Sequence, residues 1–136
     1  EITDVQAVGS FYPEVGAPTH VITNLSLSGG TIGLVEVGWT YTYNTKDRAH
    51  HRRFDLIGEH GVISYDNESG RTRLYTAEET ITLPARSDKD FPAVYEAFFR
   101  AIQGEDKGPL ATGEDAYRAT RVAFSVLDQL GANPYR

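Results

Sequence analysis

Residues 31–43 read Thr31-Ile32-Gly33-Leu34-Val35-Glu36-Val37-Gly38-Trp39-Thr40-Tyr41-Thr42-Tyr43. From position 35 the odd residues are Val35, Val37, Trp39, Tyr41 and Tyr43, an apolar and aromatic series. The even residues, Leu34, Glu36, Gly38, Thr40 and Thr42, are small or polar apart from Leu34. A period of two with one strongly apolar face predicts a β-strand covered on one side and wetter on the other.

The neighbouring segments extend this pattern. Residues 20–28 alternate Val21, Thr23, Leu25 and Leu27 against Ile22, Asn24 and Ser26, and Gly29-Gly30 then supplies a tight turn. Residues 1–10 alternate more loosely. Downstream, residues 52–57 and 62–66 flank Gly58-Glu59-His60-Gly61 and read as a hairpin. Residues 66–70 form a second turn, and residues 71–76 and 80–83 are short closing strands. The period then changes. Phe91, Val94, Tyr95, Phe98, Phe99 and Ile102 share one helical face, with Asp90 or Ser87 as cap, Pro92 in the first turn and Gly104 at the end. A second helix starts at Thr112-Gly113-Glu114-Asp115, where two carboxylates suit the positive helix end. Its apolar stripe is Ala116, Ala119, Ala123, Val126, Leu127 and Leu130, and Gly131 stops it. The expected fold is α+β: an open-faced, mainly antiparallel β-sheet of six or seven strands with two C-terminal helices on one face.

At 136 residues the chain has the length of one domain. Hydrophobic residues are 40% and charged residues 24%, ordinary globular usage that excludes disordered and coiled-coil classes. No apolar run approaches the ~18 residues of a membrane span. A net charge of −6 with scattered arginines argues against a nucleic-acid partner. Without cysteine there is no disulfide, thiolate metal site or thiol nucleophile. Methionine is also absent, and the chain opens Glu1-Ile2-Thr3-Asp4. Initiator Met is normally trimmed only before a small residue, so a piece of a longer protein is expected.

In a meander, connections alternate between the two ends of the sheet. Segments 11–19 and 44–51 would then share one end, and long loops over a rigid sheet commonly carry binding groups. That end would gather Tyr12, His20, Tyr43, Lys46, Arg48, His50 and Arg52, with Phe11 and His51 beside them. Such a cationic and aromatic rim suits a hydroxyl-rich or anionic small molecule. The opposing expectation is that these are solvated loop residues. No metal site is expected at His50-His51, because adjacent side chains in an extended segment diverge. There is no Gly-x-Gly-x-x-Gly, Walker loop, nucleophile elbow or His-Glu-x-x-His.

Taken in order, these segments resemble the C-terminal domain of the Gfo/Idh/MocA oxidoreductases. Residues 29–40 are similar to that family's Gly-Gly strand with its later small-Trp pair. Residues 54–63, Phe-Asp-Leu-Ile-Gly-Glu-His-Gly-Val-Ile, resemble its G-x-x-G hairpin. Residues 91–102 resemble its aromatic helix, and Thr112-Gly113-Glu114-Asp115 its terminal Gly-Glu-Asp helix. Residues 1–5 are similar to its first strand after the dinucleotide domain.

The resemblance implies a parent that is an NAD(P)-dependent oxidoreductase acting on a sugar, polyol or related hydroxyl compound. The family's dinucleotide domain, its Glu-Lys-Pro lysine and its proton-transfer histidine lie upstream of the position matching Glu1. Lys46, Lys89 and Lys107 fall in loops and match no catalytic lysine. This chain is therefore expected to supply the substrate-side and oligomerisation domain, to bind no NAD(P) itself and to hold no catalytic residue. The family's open sheets meet across a two-fold, which implies a homodimer or higher oligomer through Ile22, Asn24, Ser26, Leu34, Glu36, Thr40 and Thr42. The expected partners are self and a sugar-like molecule, with no nucleic acid or membrane, in the cytoplasm. The opposite face of the central strand is expected to pack under both helices, so that Trp39→Ala would cost ~3–5 kcal/mol. A free-standing small-ligand-binding or accessory subunit is the alternative from another class.

Overall fold

Strand alternation carries through to strand pairing. The computed structural model describes residues 1–12, 14–39, 46–47, 51–84 and 90–132. These residues form two compact units, Glu1–Lys46 with Pro109–Arg136 and Asp47–Gly108. The seven strands among the described residues pair antiparallel, in a three-stranded and a four-stranded sheet. Among the described residues each unit carries one α-helix, and the fold is α+β.

The first unit holds β1 (Ile2–Phe11), β2 (Pro18–Leu27) and β3 (Ile32–Gly38) in the order 1-2-3. The predicted turn at Gly29-Gly30 is a single 3-10 turn. Both glycines have positive φ, 83° and 82°, a region that side-chain-bearing residues enter only at a cost. Cross-strand partners point to the same side of a sheet. Val35 pairs with Thr23 and Thr23 with Ala7, while Val37 pairs with Val21 and Val21 with Gly9. These six residues form one face. Ile22 with Glu36, Asn24 with Leu34 and Ser26 with Ile32 form the other.

Helix α2 (Gly113–Gln129), the later of the two helices, packs on β1. Its N-terminus is the predicted one. The Thr112 hydroxyl accepts from the Asp115 N–H at 3.2 Å, and the Asp115 carboxylate accepts from the Thr112 N–H at 2.8 Å. This reciprocal capping box satisfies donors that a helix start leaves open. At the other end, Leu130 reaches the space above Gly9, where an added Cβ would come within 3.0 Å of its Cδ1. Gly9 lies on the Val35–Val37 face, so the apolar side of β3 is indeed the helix side.

Helix coverage is narrower than the stripe predicts. α2 sits over β1, two strands from β3, a lateral distance of about 10 Å. Val35, Val37 and Trp39 remain 45%, 58% and 66% exposed, so Trp39 is not packed under the helices. Ala116, Ala119 and Ala123 are exposed as well, and only the C-terminal half of α2 is partly covered. The residues buried in this sheet are Thr19 and Thr23.

The second unit is a meander of β4 (Arg53–Gly58), β5 (Gly61–Asp66), β6 (Arg71–Tyr75) and β7 (Thr80–Pro84). One face carries Phe54 and Leu56 on β4, Ile63 and Tyr65 on β5, Leu74 on β6, and Ile81 and Leu83 on β7. Phe54 and Tyr65 stack across β4 and β5 with ring centroids 5.1 Å apart. Helix α1 (Phe91–Ile102) follows. Asp90 caps it as expected, its carboxylate accepting from the Ala93 N–H at 3.1 Å. Among the described residues, the aromatic stripe of α1 stays exposed. Phe91, Val94, Phe98 and Ile102 are 50–65% exposed, and Ala97 is the buried position. No helix among the described residues is long and apolar enough to cross a membrane.

Candidate substrate-facing site

Tyr12 follows the last residue of β1 in the loop before β2, and its side chain is exposed. Its carbonyl accepts from the Val15 N–H at 3.0 Å, which turns the chain back toward Pro18. His20 enters two residues later on β2, opposite Ser10 on one side and Gly38 on the other. Its Nε2 stands 2.9 Å from Glu36 Oε1, and the imidazole is 25% exposed. The pair lies on the open face with Ile22, Asn24 and Leu34. One candidate substrate residue and five candidate interface residues thus share a single surface.

Of the remaining substrate-side candidates, Lys46 and Arg52 are among the described residues. Lys46 is exposed in the first unit. Arg52 belongs to the second unit, where its N–H donates to Asn67 Oδ1 at 2.5 Å and its carbonyl accepts from the Asn67 N–H at 3.1 Å. Those two bonds tie the start of β4 to the turn after β5. His51 Nδ1 is 3.1 Å from Glu68 Oε2 at the same place. Tyr43, Arg48 and His50, and the interface candidates Thr40 and Thr42, lie outside the described residues.

A second constellation went unmarked in the sequence. The polar face of the four-stranded sheet carries Arg53 and Asp55 on β4, Ser64 and Asp66 on β5, and Arg71, Arg73 and Tyr75 on β6. It forms an open concavity of about 200 Å³. Arg53 Nη2 is 3.3 Å from Asp55 Oδ2, and Arg73 Nη1 is 3.3 Å from the Tyr75 hydroxyl. The Asp66 carboxyl is held below its usual value of 3.8, chiefly by the Glu68 N–H, with smaller help from the Ser69 side chain and the Arg53 charge. The available signal was the alternation Arg71-Thr72-Arg73-Leu74 read together with the hairpin register.

Among the described residues, the two α-helix N-termini do not fit the pyrophosphate of a dinucleotide. A pyrophosphate site needs free N–H groups at a Gly-rich strand-to-helix turn. Here Asp90 accepts from the first turn of α1, and Asp115 closes the start of α2. Each places a carboxylate where the phosphate charge would sit.

No family model and no curated protein matches the sequence. Solved structures do match the fold. An oxidoreductase from Thermotoga maritima superposes with a TM-score of 0.71 at 19% identity, over 100% of this chain and 40% of that one. UDP-N-acetylglucosamine 3-dehydrogenase from Acidithiobacillus ferrooxidans superposes at 0.75 and 18% identity, over 95% of this chain and 40% of its own. An oxidoreductase from Agrobacterium radiobacter, in complex with NAD+, L-tartaric acid and magnesium, gives 0.69 and 15%, over 97% and 41%. This chain therefore spans about two fifths of the length of the structures it matches. It has the fold of one domain of these oxidoreductases, in agreement with its resemblance to the Gfo/Idh/MocA C-terminal domain.

Proposed function

We propose that this chain serves as the substrate-side and oligomerisation domain of an NAD(P)-dependent oxidoreductase that acts on a sugar, polyol or related hydroxyl compound. One observation carries the proposal: 100% and 95% of the chain superpose on about 40% of two oxidoreductases, with TM-scores of 0.71 and 0.75. When bound in the parent, the nicotinamide supplies the hydride chemistry. The part given to this chain is to present a sheet surface and its loops toward the substrate, with Tyr12 and His20 as its contributions from the first unit. His20, beside Glu36 on the same face, carries an imidazole suited to holding a substrate hydroxyl by a hydrogen bond. The isolated chain is expected to lack dehydrogenase activity.

The open face of the three-stranded sheet is proposed to bind a second copy. Support comes from its exposed aliphatic groups: Val8 at 67%, Ile22 at 38%, Ile32 at 85% and Leu34 at 71%. Leaving several such side chains wet on one side of a sheet is costly, and covering them on association recovers that free energy.

The test for the domain role is the intact mass of the gene product together with cofactor titration of the 136-residue chain. A parent of about 300 residues or more, the length two domains need, is expected, with no micromolar affinity for NADH or NADPH on the isolated chain. Micromolar cofactor binding by the isolated chain would overturn the assignment.

A further inference from the structure

The polar face of the second sheet concentrates positive charge on a protein whose net charge is −6. Arg53, Asp66 and Arg71 lie side by side on β4, β5 and β6. Strand spacing puts the two arginine backbones about 10 Å apart, and Arg73 stands about 7 Å further along β6 from Arg71. Three guanidinium groups can thus converge from two strands on the concavity between them, with Ser64 on the central strand beneath.

Among the described residues two carboxylates share this face, and both are engaged. Asp55 lies against Arg53 at 3.3 Å, and Asp66 accepts from the Glu68 N–H at 2.9 Å. Arg73 contacts only the neutral hydroxyl of Tyr75 among the described residues, and Arg71 has no ion pair or side-chain hydrogen bond among them. Three cations therefore face two anions, and the surplus sits on β6.

We propose that this concavity binds a phosphate or pyrophosphate group, held by Arg71 and Arg73 with Arg53 closing the far side. Guanidinium forks match planar or tetrahedral oxyanions by paired hydrogen bonds. Three forks with the Ser64 and Tyr75 hydroxyls offer more donors than the two oxygens of one carboxylate can accept. A phosphate or pyrophosphate has enough oxygens and enough charge to use them. Asp66 opposes the anion and sets a limit on affinity. The site does not depend on the oxidoreductase role, since every residue in it belongs to one sheet of this chain.

The experiment is calorimetric titration of the 136-residue chain at low ionic strength with sodium pyrophosphate, sodium phosphate and, as a dicarboxylate, L-malate. Saturable one-site binding of pyrophosphate or phosphate is expected, tighter than that of malate. Arg71→Ala and Arg73→Ala should each weaken it about tenfold or more, as loss of a charge-assisted pair does. Asp66→Asn keeps the acceptor for Glu68 and should tighten binding. Arg118→Ala, on α2, should leave it unchanged. Circular dichroism checks the fold of each variant, and Arg71→Lys, which keeps the charge but loses the fork, decides the matter if Arg71→Ala does not fold. Absence of saturable binding at millimolar pyrophosphate would overturn the proposal. So would equal affinity for malate, or an Arg118→Ala effect as large as that of Arg71→Ala.

Discussion

A methyl group at residue 61 would collide with the Tyr75 carbonyl, which belongs to the adjacent strand β6. That carbonyl is backbone and cannot swing aside as a side chain would. Gly61→Ala is therefore expected to cost ~1–3 kcal/mol, the usual range for an overpacked position, and a urea midpoint lowered at constant slope would register it. An unchanged midpoint would mean that β5 and β6 pair in another register. Asp66 gives a second prediction at this scale. Its folded pKa lies below the unfolded value of 3.8, so its ionised form is favoured by the fold. The stability it contributes is complete above the unfolded value and is lost as pH falls through the folded one. A carboxyl-carbon NMR titration should show Asp66 ionising below pH 3.8, and Arg53→Ala should move the midpoint upward. A wild-type midpoint at or above 3.8 would contradict the hydrogen-bonded turn.

Among the elements, the edge of β1 is closed by a side chain. The Gln129 amide accepts from the Ala7 N–H at 2.9 Å and donates to the Val5 carbonyl at 2.6 Å. It supplies the donor and acceptor that a further strand would have offered there. Unpaired edges invite pairing with other chains, and covering them is a recurrent protection. Gln129→Ala removes both bonds and is expected to cost about 1–2 kcal/mol, with added concentration-dependent association in sedimentation velocity runs. A variant as stable and as soluble as the parent would show that the amide is incidental. β3 gives the opposite case. Because Trp39 is 66% exposed, Trp39→Ala should cost only about 1 kcal/mol, well under the value for a fully buried large side chain. A loss of several kcal/mol in thermal unfolding would place Trp39 under a helix after all.

At the scale of the whole molecule, each unit exposes much apolar surface among the described residues. In the second unit this is the stripe of α1 with Leu56 and Leu83 on the sheet, and in the first it is Leu34, Ile32 and Val8. Contiguous exposed apolar surface of this kind marks contact surfaces. The proposed self-association would bury on the order of 1,200 Å² in total, the low end for a stable interface, and a two-fold would bring the same residues from both copies together. Leu34→Asp combined with Glu36→Lys should therefore give a monomer by light scattering where the wild-type chain is a dimer. A wild-type chain that stays monomeric at high concentration would remove the proposal without any mutant.

Local chemistry was legible in the residues themselves. The alternation in residues 31–43, the glycines at 29 and 30, the hairpin at 58–61 and the caps at Asp90 and Thr112 all depend on neighbours within a few positions, where period and backbone preference act directly. The two faces of β3 were legible for the same reason, and pairing confirms that Ile22, Asn24 and Ser26 share a side with Leu34 and Glu36. What covers each face was not legible. The α2 stripe looks able to reach Trp39, yet the helix docks over β1, because Gly9 leaves room for Leu130 and Gln129 finds the open edge there. Gln129 carries no periodic signal, since its partners lie 122 and 124 residues away. The arginine face was hidden likewise. Arg53 and Arg71 are distant in sequence and become neighbours only when β5 is laid between them. Short-range patterns chose the elements, and long-range register decided which charges and edges meet.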